Sequence, residues 1–221
     1  YMGLVSLLDD CVGRIITALK EEGIYDDAYI IFTSDHGEML GSHCLWQKMC
    51  MYEESSHVNL MVKSPEEKPF AAQSNALVSH IDILPTVCDV LNLTPPDDLP
   101  GISLKECIEQ GAEIDRNKVF IQFDGNGARG NFQRCLVKGD HKLIVDIFKD
   151  EVFFELYDLI NDPQELYNLA FDQKDLVQDL LSDLRQHMIE TCDEVDFPED
   201  AYSVFFAAYQ RHRHPLPAPL L

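Results

Sequence analysis

The sequence predicts an α/β fold: part of a mainly parallel sheet flanked by helices, followed by a small four-stranded antiparallel sheet covered by a C-terminal helix. Three observations predict it. An amphipathic helix leads through a short loop into a continuous apolar strand at Tyr29 to Thr33, the αβ half of a parallel-sheet unit. Four strand-like runs with short links follow Asn117. A helical period then runs from Asp175 to Ile189, placed to cover that second sheet.

Each element has its own signal. Leu4, Leu8, Val12, Ile15 and Leu19 fall on one face of a helix, and Gly23 stands where a C-terminal cap belongs. Val58 to Val62 reads as a second strand and Leu77 to Ser79 as a third. Ile81 to Leu91 reads as a helix, with Pro85 tolerated in its first turn. "LTPPDDLPGISL" is a loop. Val119 to Phe123, Phe132 to Val137, Lys142 to Ile147 and Val152 to Tyr157 are the four later strands, and Gly139-Asp140 is a two-residue hairpin signal between two of them. Leu176, Leu180, Leu181, Leu184 and Met188 mark the covering helix. "RHRHPLPAPLL" reads as an extended tail. The organisation expected is therefore residues 1–112 in the α/β layer and 113–221 in a smaller α+β unit with its tail.

Composition narrows the function. With 39 Asp and Glu against 17 Lys and Arg, the 221 residues carry a net charge of −22. No basic run offers a face to nucleic acid. No apolar run approaches the ~20 residues of a membrane span. The seven cysteines are odd in number and show no C-x-x-C pair, the pattern of reduced thiols in a cytoplasmic chain rather than of a disulfide set. The chain opens at Tyr1 directly into a helix, so a portion upstream is expected.

The chemistry concentrates at the end of the first strand. "IIFTSDHGEMLGSH" places Asp35, His36 and Gly37 where ligands gather in open α/β sheets. Asp supplies an oxygen and His a neutral nitrogen, both ordinary donors to a divalent cation, and glycine permits a sharp turn. Two donors do not complete such a site. An Asp after a strand is also a common helix cap.

The longer stretch "SDHGEMLGSHCLWQKMCMYEESSHVNLMVKSP" resembles the sulfatase branch of the alkaline-phosphatase-like hydrolases, and especially its choline-sulfatase-like and phosphonate-monoester-hydrolase-like members. Those carry T-S-D-H-G-(D/E)-x-L-G-x-H, a Lys shortly before a Y-(E/D) segment, and a strand ending near S-P. "SHIDILPTVCDVLNL", "LPGISL", "LVKGDHKLIV" and "ELYDLINDPQELYNLA" are similar to later parts of that family, so the resemblance covers most of residues 1–172.

The resemblance implies that Asp35 and His36 are half of a metal site, for Ca2+ or alternatively Mn2+. It implies that Lys48 contacts a substrate oxyanion. His43 is either an acid for the leaving group or a loop-fixing residue. Glu38 is expected to support the turn, and Asp82 to start a helix. His57 and Asn59 stand where the family strand leads one to expect Arg and Pro. The family nucleophile is a formylglycine made from Cys or Ser in C-x-P-S-R or S-x-P-S-R, and none of the seven cysteines lies in such a stretch. The early Asp-Asp ligands are also missing, since Asp9-Asp10 sits within the first helix. The expectation is a C-terminal fragment of a metal-dependent sulfatase, inactive alone, whose missing N-terminal part carries the formylglycine and is its partner. The substrate would be a sulfated small molecule or glycan. A phosphonate or phosphate ester hydrolase and a catalytically silent sulfatase-like module remain as alternatives.

Overall fold

The computed structural model describes residues 1–65, 73–125, 130–149 and 151–211. The proline-rich tail beyond Arg211 lies outside the described residues. Two compact units are present: residues 1–34 with 59–116, and residues 35–58 with 117–221. The segment from Asp35 to Val58, which holds the candidate chemistry, belongs to the second unit.

In the first unit, α1 spans Met2–Glu21. It stops through Glu22 in the right-handed region and Gly23 at φ 70°, as the cap signal predicts. No residue of α1 is buried, and Leu4, Leu8 and Ile15 remain exposed. β1 (Ile30–Thr33) pairs with β2 (Leu60–Lys63), Ile30 opposite Lys63 and Thr33 opposite Leu60. This pair runs antiparallel, and among the described residues no strands pair in parallel, so the parallel pairing expected after α1 is not found within them. Lys63 Nζ donates to the carbonyls of Tyr25, Asp26 and Ala28 and so fixes the loop between α1 and β1.

Leu77 to Ser79 is not a strand. Ser79 is extended, but it serves as an N-cap, with Asp82 completing a capping box before α3 (Ile83–Val90). Asp82 is fully buried. It accepts from the amides of Ser79 and Ile102 at 2.8 and 2.9 Å and receives both arms of the Arg116 guanidinium. The "LPGISL" loop needs its glycine: a Cβ on Gly101 would stand 2.0 Å from the Ile81 carbonyl oxygen. α4 (Lys105–Gln110), which has no counterpart in the sequence reading, closes the unit.

The second unit is built on a four-stranded antiparallel meander in the order β3 (Lys118–Phe123), β4 (Asn131–Lys138), β5 (His141–Phe148), β6 (Glu151–Asp158). Lys138 faces His141 across the Gly139-Asp140 turn, with Gly139 at φ 56°. α5 (Lys174–Glu190) buries Val177, Leu180, Leu181, Leu184 and Met188 against Leu143, Val145, Phe154 and Leu156. α6 (Ala201–Arg211) adds Ala201 and Tyr202 to the same core. Lys118 and Lys138 reach Asp183 at 2.7 and 2.9 Å and staple the sheet to α5. Because side chains alternate along β5, Leu143, Val145 and Ile147 join this core while Lys142 and Ile144 point to the opposite face. That face receives the segment 35–58.

Candidate metal half-site and oxyanion lysine

Asp35 and His36 follow β1 in the chain. The Asp35 carboxylate is 83% exposed, and its Oδ1 accepts the His36 amide at 3.0 Å. That amide holds the Asp35 carboxyl below its usual range, and the His36 ring and the Lys48 ammonium act in the same direction. His36 Nδ1 lies 2.9 Å from the Gly37 carbonyl oxygen. The tautomer with hydrogen on Nδ1 makes this a hydrogen bond and makes Nε2 the donor atom toward a metal. Asp35 Oδ2 and His36 Nε2 stand 3.3 Å apart. Two donors ~2.3 Å from one ion and ~90° apart sit roughly 3.2 Å from each other. The pair therefore fits two adjacent vertices of a single coordination sphere. Among the described residues, no third Asp, Glu, His or Cys forms a ligand cluster with them.

Gly37 is required for a different reason than a turn. It does not occupy the left-handed region, but a Cβ there would lie 1.9 Å from the Glu54 carbonyl oxygen. Its amide donates to the Ser55 carbonyl at 2.8 Å. The chain after His36 thus rests directly on the backbone of α2 (Glu53–Ser56). Glu38 supports the next turn, its Oε1 accepting the Gln47 amide at 2.6 Å. Lys48 is exposed, while its carbonyl accepts from the buried Ser55 hydroxyl at 2.6 Å.

His43 turns inward. It lies at φ 52° and stacks on Tyr52 at 3.9 Å with the rings nearly parallel. Its Nε2 is buried without a hydrogen bond, as is Glu54 Oε2. One ligand atom each from His43, Glu54 and Glu165 lies within 4.8 Å of the others. Such a trio has the donors of a metal site. However, the Lys142 ammonium stands 2.8 Å from Glu165 Oε1 and already supplies the cation there.

Trp46 is exposed, and Tyr52 donates to Glu155 at 2.9 Å. His57, without an evident partner in the sequence, binds Glu53 at 2.6 Å. His80 Nε2 lies 3.5 Å from the Thr33 hydroxyl.

Two clusters escaped the sequence reading. Arg134 is buried and pairs with Asp193 and Asp124. Lys142, fully buried, meets Glu53 Oε1 at 2.6 Å, Glu165 Oε1 at 2.8 Å and the Met51 carbonyl at 2.9 Å. A lysine directly before the apolar run "LIV" was the available signal. Burial works against the charge on Glu53, but His57 and Lys142 outweigh it and hold its pKa down to about 2. Burial pushes Glu165 up despite Lys142. Burial pushes the Cys135 thiol up to about 12, away from nucleophilic work, and all seven cysteines are free.

The chain is similar to several known proteins over most of its length. Residues 41–194 match the family described as N-sulphoglucosamine sulphohydrolase, C-terminal. The chain is 32% identical over 217 residues to Uncharacterized sulfatase YidJ of Escherichia coli (strain K12), covering 97% of this chain and 42% of that protein. It is 30% identical over 212 residues to Arylsulfatase K of Xenopus laevis, covering 92% and 38%. The solved phosphonate monoester hydrolase of Agrobacterium radiobacter superposes with a TM-score of 0.72 at 31% identity, over 88% of this chain and 41% of that one. BT4656, solved in complex with its substrate D-glucosamine-2-N,6-O-disulfate, superposes with a TM-score of 0.69 at 27% identity, over 92% and 40%. The chain thus spans about two fifths of the length of these relatives. It belongs to the sulfatases of the alkaline-phosphatase-like superfamily, as their C-terminal portion.

Proposed function

We propose that the protein to which this chain belongs hydrolyses sulfate esters. In this reading Asp35 and His36 hold one side of a divalent cation, and Lys48 meets the substrate's nonbridging oxygens. The observation that carries it is the 3.3 Å spacing of Asp35 Oδ2 and His36 Nε2 on a loop whose Lys48 charge reaches the same carboxylate. Sulfate-ester cleavage builds negative charge on the leaving oxygen and redistributes it over the nonbridging oxygens. A bound cation supplies Lewis-acid stabilisation to those oxygens. Lys48 would add a mobile point charge to the same oxygens, and the Asp35 carboxylate is exposed.

Ca2+ suits a site completed by further oxygen ligands, and the imidazole donor admits Mn2+. The remaining ligands and the formylglycine, which provides the attacking hydroxyl, come from the rest of the protein. The exposed apolar row of α1 supports a packing role for that remainder. For His43, the burial of Nε2 beneath Tyr52 supports loop fixing over proton donation.

Two relatives motivate a sulfated glycan as substrate. One is the protein solved with D-glucosamine-2-N,6-O-disulfate; the other is the N-acetylglucosamine-6-O-sulfatase of Bacteroides thetaiotaomicron, 29% identical over 205 residues. A phosphonate monoester is the second reading, favoured by the 31% identity to the Agrobacterium enzyme. Turnover of an aryl sulfate and an aryl phosphonate monoester by the full-length protein decides between them. Faster sulfate release is the expected result, and faster phosphonate release supports the second reading. Inactivity toward both, with metal bound, leaves the silent module.

A further inference from the structure

We infer that Lys142 and Ser55 are positioning residues for Lys48, acting through α2. This inference rests on the proposed role of Lys48 at the substrate oxyanion.

The brace begins on β5. Lys142 lies on the sheet face opposite the α5 core and is fully buried. Its ammonium binds Glu53, the first residue of α2, and Glu165. Glu165 Oε2 in turn accepts the Glu53 amide at 2.6 Å, so one buried carboxylate holds both the ammonium and the start of the helix. Lys142 also donates to the Met51 carbonyl, fixing the residue two places before α2. The helix thereby anchored has two outputs. The Ser55 hydroxyl donates to the Lys48 carbonyl at 2.6 Å, and the Ser55 carbonyl accepts from Gly37, next to His36.

The single turn of α2 thus touches the backbone of both the lysine and the metal-ligand segment. Each hydrogen bond removes freedom from a loop that has no strand or long helix of its own. Lys48 is exposed, so the order its charge needs comes from its backbone rather than from packing of its side chain. Misplacement of a charge by ~1 Å is enough to cost about a hundredfold in rate.

The test is a double-mutant cycle in the full-length protein with aryl sulfate, recording kcat, KM and metal content. Ser55→Ala should lower kcat about tenfold with little change in KM or in bound metal. Ser55→Thr, which keeps the hydroxyl, should restore most of the rate. Lys142→Met should act in the same direction as Ser55→Ala. In a Lys48→Ala background, Ser55→Ala should not reduce kcat further, whereas Lys142→Met should keep only the smaller loss that passes through Ser55 and Gly37 to the His36 segment. Equal fold-losses in both backgrounds, or full activity in Ser55→Ala, overturn the positioning role while leaving Lys48 at the oxyanion. If Lys48→Ala itself keeps full turnover, the oxyanion role falls and the positioning claim with it. Should Lys142→Met fail to fold, the Ser55 pair and Lys48→Ala complete the cycle.

Discussion

Lys48 and His36 are the residues whose substitution should separate charge stabilisation from metal binding. Lys48→Ala removes an exposed ammonium and nothing from the metal pair. It should keep the full metal content and lose roughly 10²–10³ in kcat, read by elemental analysis and steady-state assay on the full-length protein. Retained turnover would place Lys48 on the solvated surface. At Gly37 the expected effect is structural. A Cβ on Gly37 meets the Glu54 carbonyl at 1.9 Å, and backbone cannot yield as a side chain tip does. Gly37→Ala should therefore lower thermal stability by several degrees and weaken metal binding together. An unchanged melting temperature would show that α2 has room to move. The sequence made Gly37 visible for the wrong reason: a sharp turn was expected, whereas close approach to a distant backbone decides it. Asp35 and His36 stood out in the sequence as a candidate pair because the two donor types are adjacent in the chain. Lys142 was not, because its partners Glu53 and Glu165 are far away in sequence and an isolated lysine in a strand carries no partner with it.

At the scale of elements, α2 is a single turn held by charges rather than by apolar burial, and its stability should follow pH accordingly. Glu53 raises the pKa of His57 through their 2.6 Å bond. A group whose folded pKa lies above its unfolded one contributes stability that is fully present below the unfolded value and is lost as pH rises through the folded value. His57 is 74% exposed, so solvent screening keeps the contribution to roughly a few tenths of a kcal/mol. His57→Gln should thus lower the melting temperature by about 1–2 °C near pH 5.5 and leave it unchanged near pH 9. Equal effects at both pH values would mean that the pair contributes no charge–charge stabilisation. The later strands and α5 were legible because their apolar patterns are long enough to read and Gly139-Asp140 marks one hairpin. The three residues at Leu77 to Ser79 have too little period to separate a strand from an extended N-cap. α6 passed unread beside a proline-rich tail, although Tyr202, Phe205 and Tyr209 recur at helical spacing. α1 shows the converse: its period was right, yet no residue of it is buried, because an apolar stripe says that a face seeks cover and not which element provides it.

For the whole molecule, two units carry two kinds of task. The four-stranded sheet is a rigid platform covered on one face by α5 and α6 and on the other by the segment 35–58. Its core should respond as a packed interior does: Leu184→Ala, at the centre of the α5 face, should cost about 2–5 kcal/mol in chemical denaturation. A cost below about 1 kcal/mol would mean that α5 is loosely seated. This platform explains why candidate catalytic residues near the start of the chain pack with its last hundred residues. That arrangement was hidden from a linear reading, which divides the chain where its texture changes and cannot see a segment cross over. The central claim is that Asp35 and His36 are adjacent ligands of one divalent cation needed for sulfate-ester hydrolysis. The most direct measurement is metal content and aryl-sulfate turnover of the full-length protein beside its His36→Ala variant, both purified at equal metal concentration. The account predicts a correctly folded variant with a reduced metal complement and turnover lowered by at least about a hundredfold. A full metal complement with unchanged turnover would contradict it and reduce the motif to a structural turn.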